Sequence, residues 1–434
     1  MNMHTSPPTA KPASLWAATA VDSDTHPALT DHIETDVTVI GAGFTGLRAA
    51  LRLAEGGLNV VVLDAGDVGY GASGRTGGQV NPMLPFNTPD KLRQLLGTTY
   101  FERLTETSLA SADELFETIE KHQIDCQARQ NGWLRVCHNE RALRNAQAGV
   151  DEWNQFGAGM EIIGRDELAK RSGTSAYSAG VVTPKGGAVQ PMSLAIGLAK
   201  AAKQRGCTIY GQSAVLDLNK IDQKWIARTK SGQVKSDWVI VATNGYSGDL
   251  IPKLSNSILP VTPIQIATNP LPEEVIGSVL PEGHTISDSR RVIMYARREP
   301  DNRMVYGGHG NIRPNGEIHG VDWLVKDATR VFPQLKGVKW THKWGGRIAL
   351  TDDHLPHLHE PKSGLLVGLG YNGRGVAMSN VMGRVMAERV LGAAANTLPF
   401  PTSPIKDIPF RRIQLGGMST AIWFMRLLDY LETR

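Results

Sequence analysis

Cysteine is scarce in this chain: three residues in 434, at Cys126, Cys137 and Cys207. No two of them form a CxxC pair and the count is odd. That excludes a disulfide framework and a zinc site, so no metal is expected and the thiols read as small buried side chains in a reducing compartment. Long apolar runs are also missing. No stretch reaches the roughly 20 residues that span a bilayer. The first 34 residues carry Pro7, Pro8, Pro12 and Pro27 and lack the apolar core of a secretion signal, so they read as an irregular N-terminal arm. An excess of one charge is lacking too. A net charge of +4 with no basic stripe or tail removes nucleic acid as an expected partner. The expected compartment is the cytoplasm. The remaining composition, 41% hydrophobic and 20% charged, is that of a folded chain long enough for two structural units.

Glycine, by contrast, is clustered. After the β-branched run Val37-Thr38-Val39-Ile40 comes Gly41-Ala42-Gly43-Phe44-Thr45-Gly46. Helical spacing follows at Leu47, Ala50, Leu51 and Ala54. Then comes a second apolar run, Val60 to Leu63, closed by Asp64 and Ala65. A GxGxxG alone says little. Set between a strand and a helix, with an acid about 20 residues on, it predicts a dinucleotide-binding βαβ unit. Gly41 permits the tight turn, Gly43 lets a pyrophosphate approach the backbone, and Gly46 lets the helix pack on the strand. The helix N-terminus offers free N–H groups to phosphate, and Asp64 would accept hydrogen bonds from ribose hydroxyls. The motif serves FAD and NAD equally. A second glycine-rich loop runs through Gly71, Ala72, Ser73, Gly74, Arg75, Thr76, Gly77, Gly78 and Gln79. Its successive N–H groups could surround a phosphate or a flavin edge.

Similar segments recur later. Val239 to Asn244 is a buried strand running into a turn, and Gly364–Gly368 with Leu369–Gly375 and Val376–Leu391 repeats the strand, turn and helix order. Between them lie helical stretches near 91–121 and a β-rich region near 252–342. The expected architecture is therefore α/β: a discontinuous Rossmann-type cofactor domain (35–90, 180–250 and 343–400) with an inserted α+β substrate domain (91–179 and 251–342) and a C-terminal segment (401–434).

Five of these segments, Gly41–Gly66, Gly69–Gln79, Val239–Ser247, His342–Leu358 and Gly364–Gly383, occur in the order found in flavoenzymes of the D-amino-acid-oxidase type. The chain most resembles the gamma-glutamylputrescine oxidase and L-pipecolate oxidase branch, from about residue 34 to 415. The resemblance implies FAD, extended, with adenosine on the first βαβ unit and isoalloxazine between Gly74–Gln79 and Gly370–Val376. Ala242, Thr243, Asn244, Gly345, Asn372, Gly373, Arg374 and Gly375 join that list. It also implies oxidation of an amine or imino acid by hydride transfer to flavin N5, with oxygen or an electron carrier as the final acceptor.

Departures from the family pattern carry information. Covalent relatives attach flavin through a cysteine, and none lies in His342–Leu358, so FAD is expected to be non-covalent. Sarcosine oxidases use a lysine after the last glycine turn, where this chain reads Gly375-Val376-Ala377. Arg374 stands where a histidine is common. It is a candidate anchor for a carboxylate, or else a cap for backbone carbonyls. Tyr246, Tyr295, His309 and His354 are the other candidates for the cavity before the flavin. Two substrate classes fit: a gamma-glutamylputrescine-like amine and an L-pipecolate-like secondary imino acid. An NAD-dependent dehydrogenase and a non-catalytic flavoprotein subunit are the alternatives. Ile422 to Leu431 forms an apolar-rich amphipathic helix, which either docks on the domain surface or makes peripheral contact with the inner membrane face.

Overall fold

The computed structural model describes residues 14–21, 24–84, 86–312 and 318–432. Strand His32–Ile40 enters the core at its second half, where the β-branched run is buried. It pairs in parallel with Val60–Leu63 on one side and Gln233–Val241 on the other. Thr208–Tyr210 and Leu365–Leu369 extend the parallel array in both directions, and His357–Lys362 closes one edge antiparallel. Helix Phe44–Glu55 links the first two strands and stops at Gly56. It packs against helix Gly375–Val390 so closely that a Cβ on Gly383 would stand 2.5 Å from the Thr45 carbonyl oxygen. Leu47, Leu51, Met382 and Met386 are all fully buried in one apolar core with these helices.

A second, eight-stranded sheet runs Trp340–Gly345, Pro263–Thr268, Met304–His309, Tyr295–Arg298, Thr285–Asp288, Trp133–Cys137, Ala179–Thr183 and Glu161–Gly164. Its neighbours are antiparallel except Thr285–Asp288 beside Trp133–Cys137. The parallel sheet with its helices is Rossmann-type, as the sequence predicts, and the second sheet is of mixed kind. Two segments sit otherwise than the expected division. Ala179–Thr183 is a strand of the second sheet. Helix Pro89–Lys121 leans on the cofactor unit, where Glu114 accepts from Arg384 at 2.9 Å on helix Gly375–Val390. An apolar run such as Val181-Val182 fits either sheet, and only its hydrogen-bond partners decide.

The N-terminal arm is also not irregular throughout. Leu15–Thr19 forms a helix capped by Ser14, whose Oγ accepts from the Ala17 N–H at 3.1 Å. Leu15 and Trp16 are buried in the core of the second sheet. The strand then begins at His32, inside the expected arm. Pro7, Pro8 and Pro12 lie outside the described residues. All three cysteines are buried and free.

Candidate active site

The carboxyl ends of the parallel strands converge where the glycine turn lies. Gly41 has φ 109°, a conformation costly for any other residue, and a Cβ there would press on the Ala242 carbonyl oxygen at 2.9 Å. Gly46 is tighter still: a Cβ would lie 1.9 Å from the Gly41 carbonyl oxygen. Gly43 caps helix Phe44–Glu55 without a side-chain hydrogen bond. Ser73 Oγ takes the Phe44 N–H at 2.9 Å, which ties the second glycine loop to the first. The Asp64 carboxylate accepts from the Ala42 N–H at 2.7 Å and the Gly66 N–H at 2.8 Å. Burial pushes this carboxyl up to about 6, against the pull of those two N–H groups.

The loop after Ser73 is held from behind by its carbonyls. Trp344 and Gln265 both donate to Arg75 O at 3.2 Å. Trp16 donates to Thr76 O at 2.7 Å. Arg297 donates to Gly77 O at 3.3 Å and Gly78 O at 2.8 Å. Gln79 reaches across to the second sheet, donating to Ala296 O at 3.0 Å. Across the cavity, Asn244 (φ 42°) accepts the Gly370 N–H at 3.0 Å. Asn372 accepts the Thr351 N–H at 3.0 Å and donates to Gly370 O at 2.5 Å. Thr45 and Tyr371 share a hydroxyl hydrogen bond of 2.6 Å, joining the first helix to the last turn. Helix Gly375–Val390 starts at Arg374 with no side-chain cap.

One cavity of about 2220 Å³ connects these parts. Pockets for a single small molecule run ~300–1,000 Å³, so this one has room for a dinucleotide and a substrate. Its lining includes Gly41, Gly43, Phe44, Thr45, Asp64, Ala65, Ala72, Ser73, Arg75, Thr76, Gly77, Gln79, Ala242, Thr243, Asn244, Gly345, Asn372, Gly373, Arg374, Gly375 and Val376. Gly46, Gly74, Gly78 and Gly370 stand behind that surface and shape it, because their backbones approach neighbours too closely for a side chain. The donor set suits an anionic dinucleotide: two helix N-termini without side-chain caps and a carboxylate for hydroxyls.

Tyr246, Tyr295, His309 and Arg374 also line the cavity. Tyr295 packs between Gly77 and Gly307, each a glycine whose Cβ would strike its ring. Tyr246 accepts the Arg347 N–H at 3.2 Å. Burial, with Arg426 nearby, pushes His309 down to about 4, so its imidazole is neutral at physiological pH. His354 does not join them. It sits outside the lining with φ 57°, its ring against Phe86 at 4.9 Å. Its neighbour Asp353, not His354, shares a hydrogen bond with His357 at 3.0 Å.

Arg135 is a cavity residue that the motifs do not reveal. It lines the cavity from strand Trp133–Cys137, flanked by Trp133 and Cys137, while Leu134 and Val136 point into the core. That alternation, with an arginine on the cavity side, is its one sequence signal. Arg374 lies over the Trp133 ring at 4.9 Å. Desolvation, then the charge of Arg135, pushes Arg374 down to about 10, still charged at neutral pH. Its buried Nε has no hydrogen-bond partner among the described residues. Neither arginine has a carboxylate partner among the described residues.

The C-terminal helix, Arg411–Glu432, forms part of the cavity wall. Met418, Ala421, Ile422 and Met425 face the cavity. Arg426 donates to His309 O at 2.7 Å and lies over Trp323 at 4.2 Å. Arg291 binds Asp429 at 3.0 Å and Glu432 at 2.8 Å. Trp423, Phe424 and Leu431 are exposed on the outside. Among the described residues no helix is long and apolar enough to cross a membrane.

Comparison with known proteins decides between the dinucleotides. The model of the FAD dependent oxidoreductase family matches residues 36–389. The chain belongs to that family. Its cofactor is FAD, and the nicotinamide alternative is set aside. The chain is 32% identical over 420 residues to gamma-glutamylputrescine oxidoreductase of Escherichia coli, covering 95% of this chain and 98% of that protein. It is 35% identical over 373 residues to a probable oxidoreductase of Haemophilus influenzae, covering 84% and 85%. Glycine oxidase from Geobacillus kaustophilus shares the fold with a TM-score of 0.71 at 22% identity, over 89% of this chain and 99% of that one.

Proposed function

We propose that this FAD-dependent oxidoreductase oxidises an amine or imino acid that carries a carboxylate. The observation that carries the reading is the pair Arg135 and Arg374. Two guanidinium groups facing one cavity without an acidic partner repel each other, and a bound carboxylate relieves that repulsion. Relatives named for gamma-glutamylputrescine and for glycine are named for amines of this kind. L-Pipecolate-like imino acids and gamma-glutamylputrescine-like amines both meet the requirement.

Bound FAD supplies the hydride acceptor, flavin N5, for the substrate C–H beside nitrogen. The chain's residues do the rest. Gly41–Gly46 and Asp64 hold the adenosine end, without a covalent bond, since His342–Leu358 contains no cysteine. Arg374, stacked on Trp133, and Arg135 orient the carboxylate. His309, neutral, accepts a hydrogen bond from the amine without repelling it. Tyr295, whose phenol burial keeps protonated, closes the wall beside Gly77. The product imine hydrolyses, or stays cyclic if the substrate was cyclic, and oxygen or an electron carrier takes the electrons. The place of the C-terminal helix against the cavity accounts for its apolar inner face.

The test is anaerobic bleaching of the bound flavin by pipecolate, proline, sarcosine and gamma-glutamylputrescine, each beside its carboxylate-free counterpart where one exists. The reading expects bleaching by at least one carboxylate-bearing amine. If none reduces the flavin, the catalytic reading gives way to that of a non-catalytic flavoprotein.

A further inference from the structure

We infer that the N-terminal helix Leu15–Thr19 is a positioning element for FAD, acting through Trp16 on the loop Arg75–Gly78. The inference rests on the reading that this loop faces the isoalloxazine. Trp16 is fully buried, and its indole N–H donates to Thr76 O across 60 positions of sequence. Its face carries the Arg297 guanidinium at 4.9 Å, and Arg297 in turn holds Gly77 O and Gly78 O. Its ring stands at a T-shaped angle to that of Trp344, centroids 5.5 Å apart, and Trp344 holds Arg75 O. Trp16, Arg297 and Trp344, with Gln265 beside Trp344, thus bind four consecutive carbonyls, and Trp16 touches both Arg297 and Trp344.

The helix is itself fastened on several sides. Gln190 donates to Trp16 O at 2.8 Å and accepts the Ser193 N–H at 2.7 Å, so the same side chain caps the helix Pro191–Gln204. The Val21 N–H donates to Ser193 Oγ at 3.1 Å. A loop with glycines at two of four positions has little stiffness of its own. Binding its carbonyls from behind fixes the direction of its N–H groups before the cofactor arrives, which is preorganisation of a cofactor site by a segment far from it in sequence. Trp16 touches no cavity surface, so it is a positioning residue and not a catalytic one.

The test compares full-length Trp16→Phe, which keeps most of the packing and loses the indole donor, with the parent chain. Apoprotein is titrated with FAD by flavin fluorescence, the visible flavin band of the holoprotein is recorded, and the apoprotein melting temperature is measured. The expected result is about tenfold weaker FAD binding and an altered flavin band, with the apoprotein melting temperature within about 3 °C of the parent. Ser14→Ala, which loosens the helix cap and leaves Trp16 in place, is expected to weaken FAD by about threefold. It supplies the reading if Trp16→Phe does not fold. Gly77→Ala, whose Cβ would meet Tyr295 at 2.9 Å, separates the two levels. A flavin band moved by Gly77→Ala but not by Trp16→Phe or Ser14→Ala overturns the inference alone. A band unmoved by Gly77→Ala overturns the placement of the loop at the flavin, and the inference with it.

Discussion

The two ends of the cavity are built in different ways. The adenosine end comes from one continuous stretch, Val37 to Ala65, and works mostly through backbone: glycines that permit close approach, a helix N-terminus and one carboxylate locked by two N–H groups. The end proposed for the substrate draws Arg135, Tyr246, Tyr295, His309 and Arg374 from five separate segments and presents side chains to the cavity. The first is a property of local chain geometry and cannot vary much. The second can be rebuilt one residue at a time, and on the proposed function it is where substrate choice is made.

The largest expected effect breaks the first end. Gly46→Val places a side chain where even a Cβ lies 1.9 Å from the Gly41 carbonyl oxygen, so helix and strand must part. The expected outcome is a loss of at least ~3 kcal/mol of stability and of all bound FAD, read by chemical denaturation and by absorbance. The second end breaks without unfolding. Arg374→Leu is expected to keep FAD and weaken a carboxylate-bearing substrate by ~1.5–3 kcal/mol, about 10- to 100-fold, as measured by flavin reduction against substrate concentration. Arg135→Leu should act in the same direction, and in part relieve the repulsion felt by Arg374.

A smaller effect sharpens the contrast through pH. Burial raises the Asp64 carboxyl to about 6, so in the free protein the neutral acid dominates below that pH and the carboxylate above it. This group's contribution to apoprotein stability is therefore present at low pH and lost as pH rises through about 6. Ribose hydroxyls donate to the carboxylate, so FAD affinity is expected to rise over the same interval. Asp64→Asn should flatten that rise and weaken FAD about tenfold at pH 8, seen by fluorescence titration. The smallest effect is at the C-terminal helix. Arg426→Ala removes the bond to His309 O and the contact with Trp323, and is expected to raise KM about threefold with FAD binding unchanged.

This division also explains what could be read from sequence. The turn, Asp64, the loop to Gln79 and the last helix start are short-range patterns with a physical reason at each position, and all of them meet at one cavity. Arg135 carries no motif. It becomes a site residue only because Trp133–Cys137 pairs with Thr285–Asp288 and turns alternate side chains toward the cavity. Trp16 was hidden in an arm dominated by proline and polar residues. His354 reads as a site residue from its neighbours in sequence, yet it packs against Phe86 and is not among the lining residues. Sheet membership of Ala179–Thr183 likewise depends on pairing that its own residues do not specify.

The most direct measurement of the central claim is stopped-flow reduction of the flavin under anaerobic conditions, with one bleaching substrate and its carboxylate-free analogue, in the parent chain and in Arg374→Leu. The account predicts that the parent prefers the carboxylate form by at least about tenfold in apparent Kd and that Arg374→Leu abolishes most of that preference. Equal preference in the two proteins would contradict it.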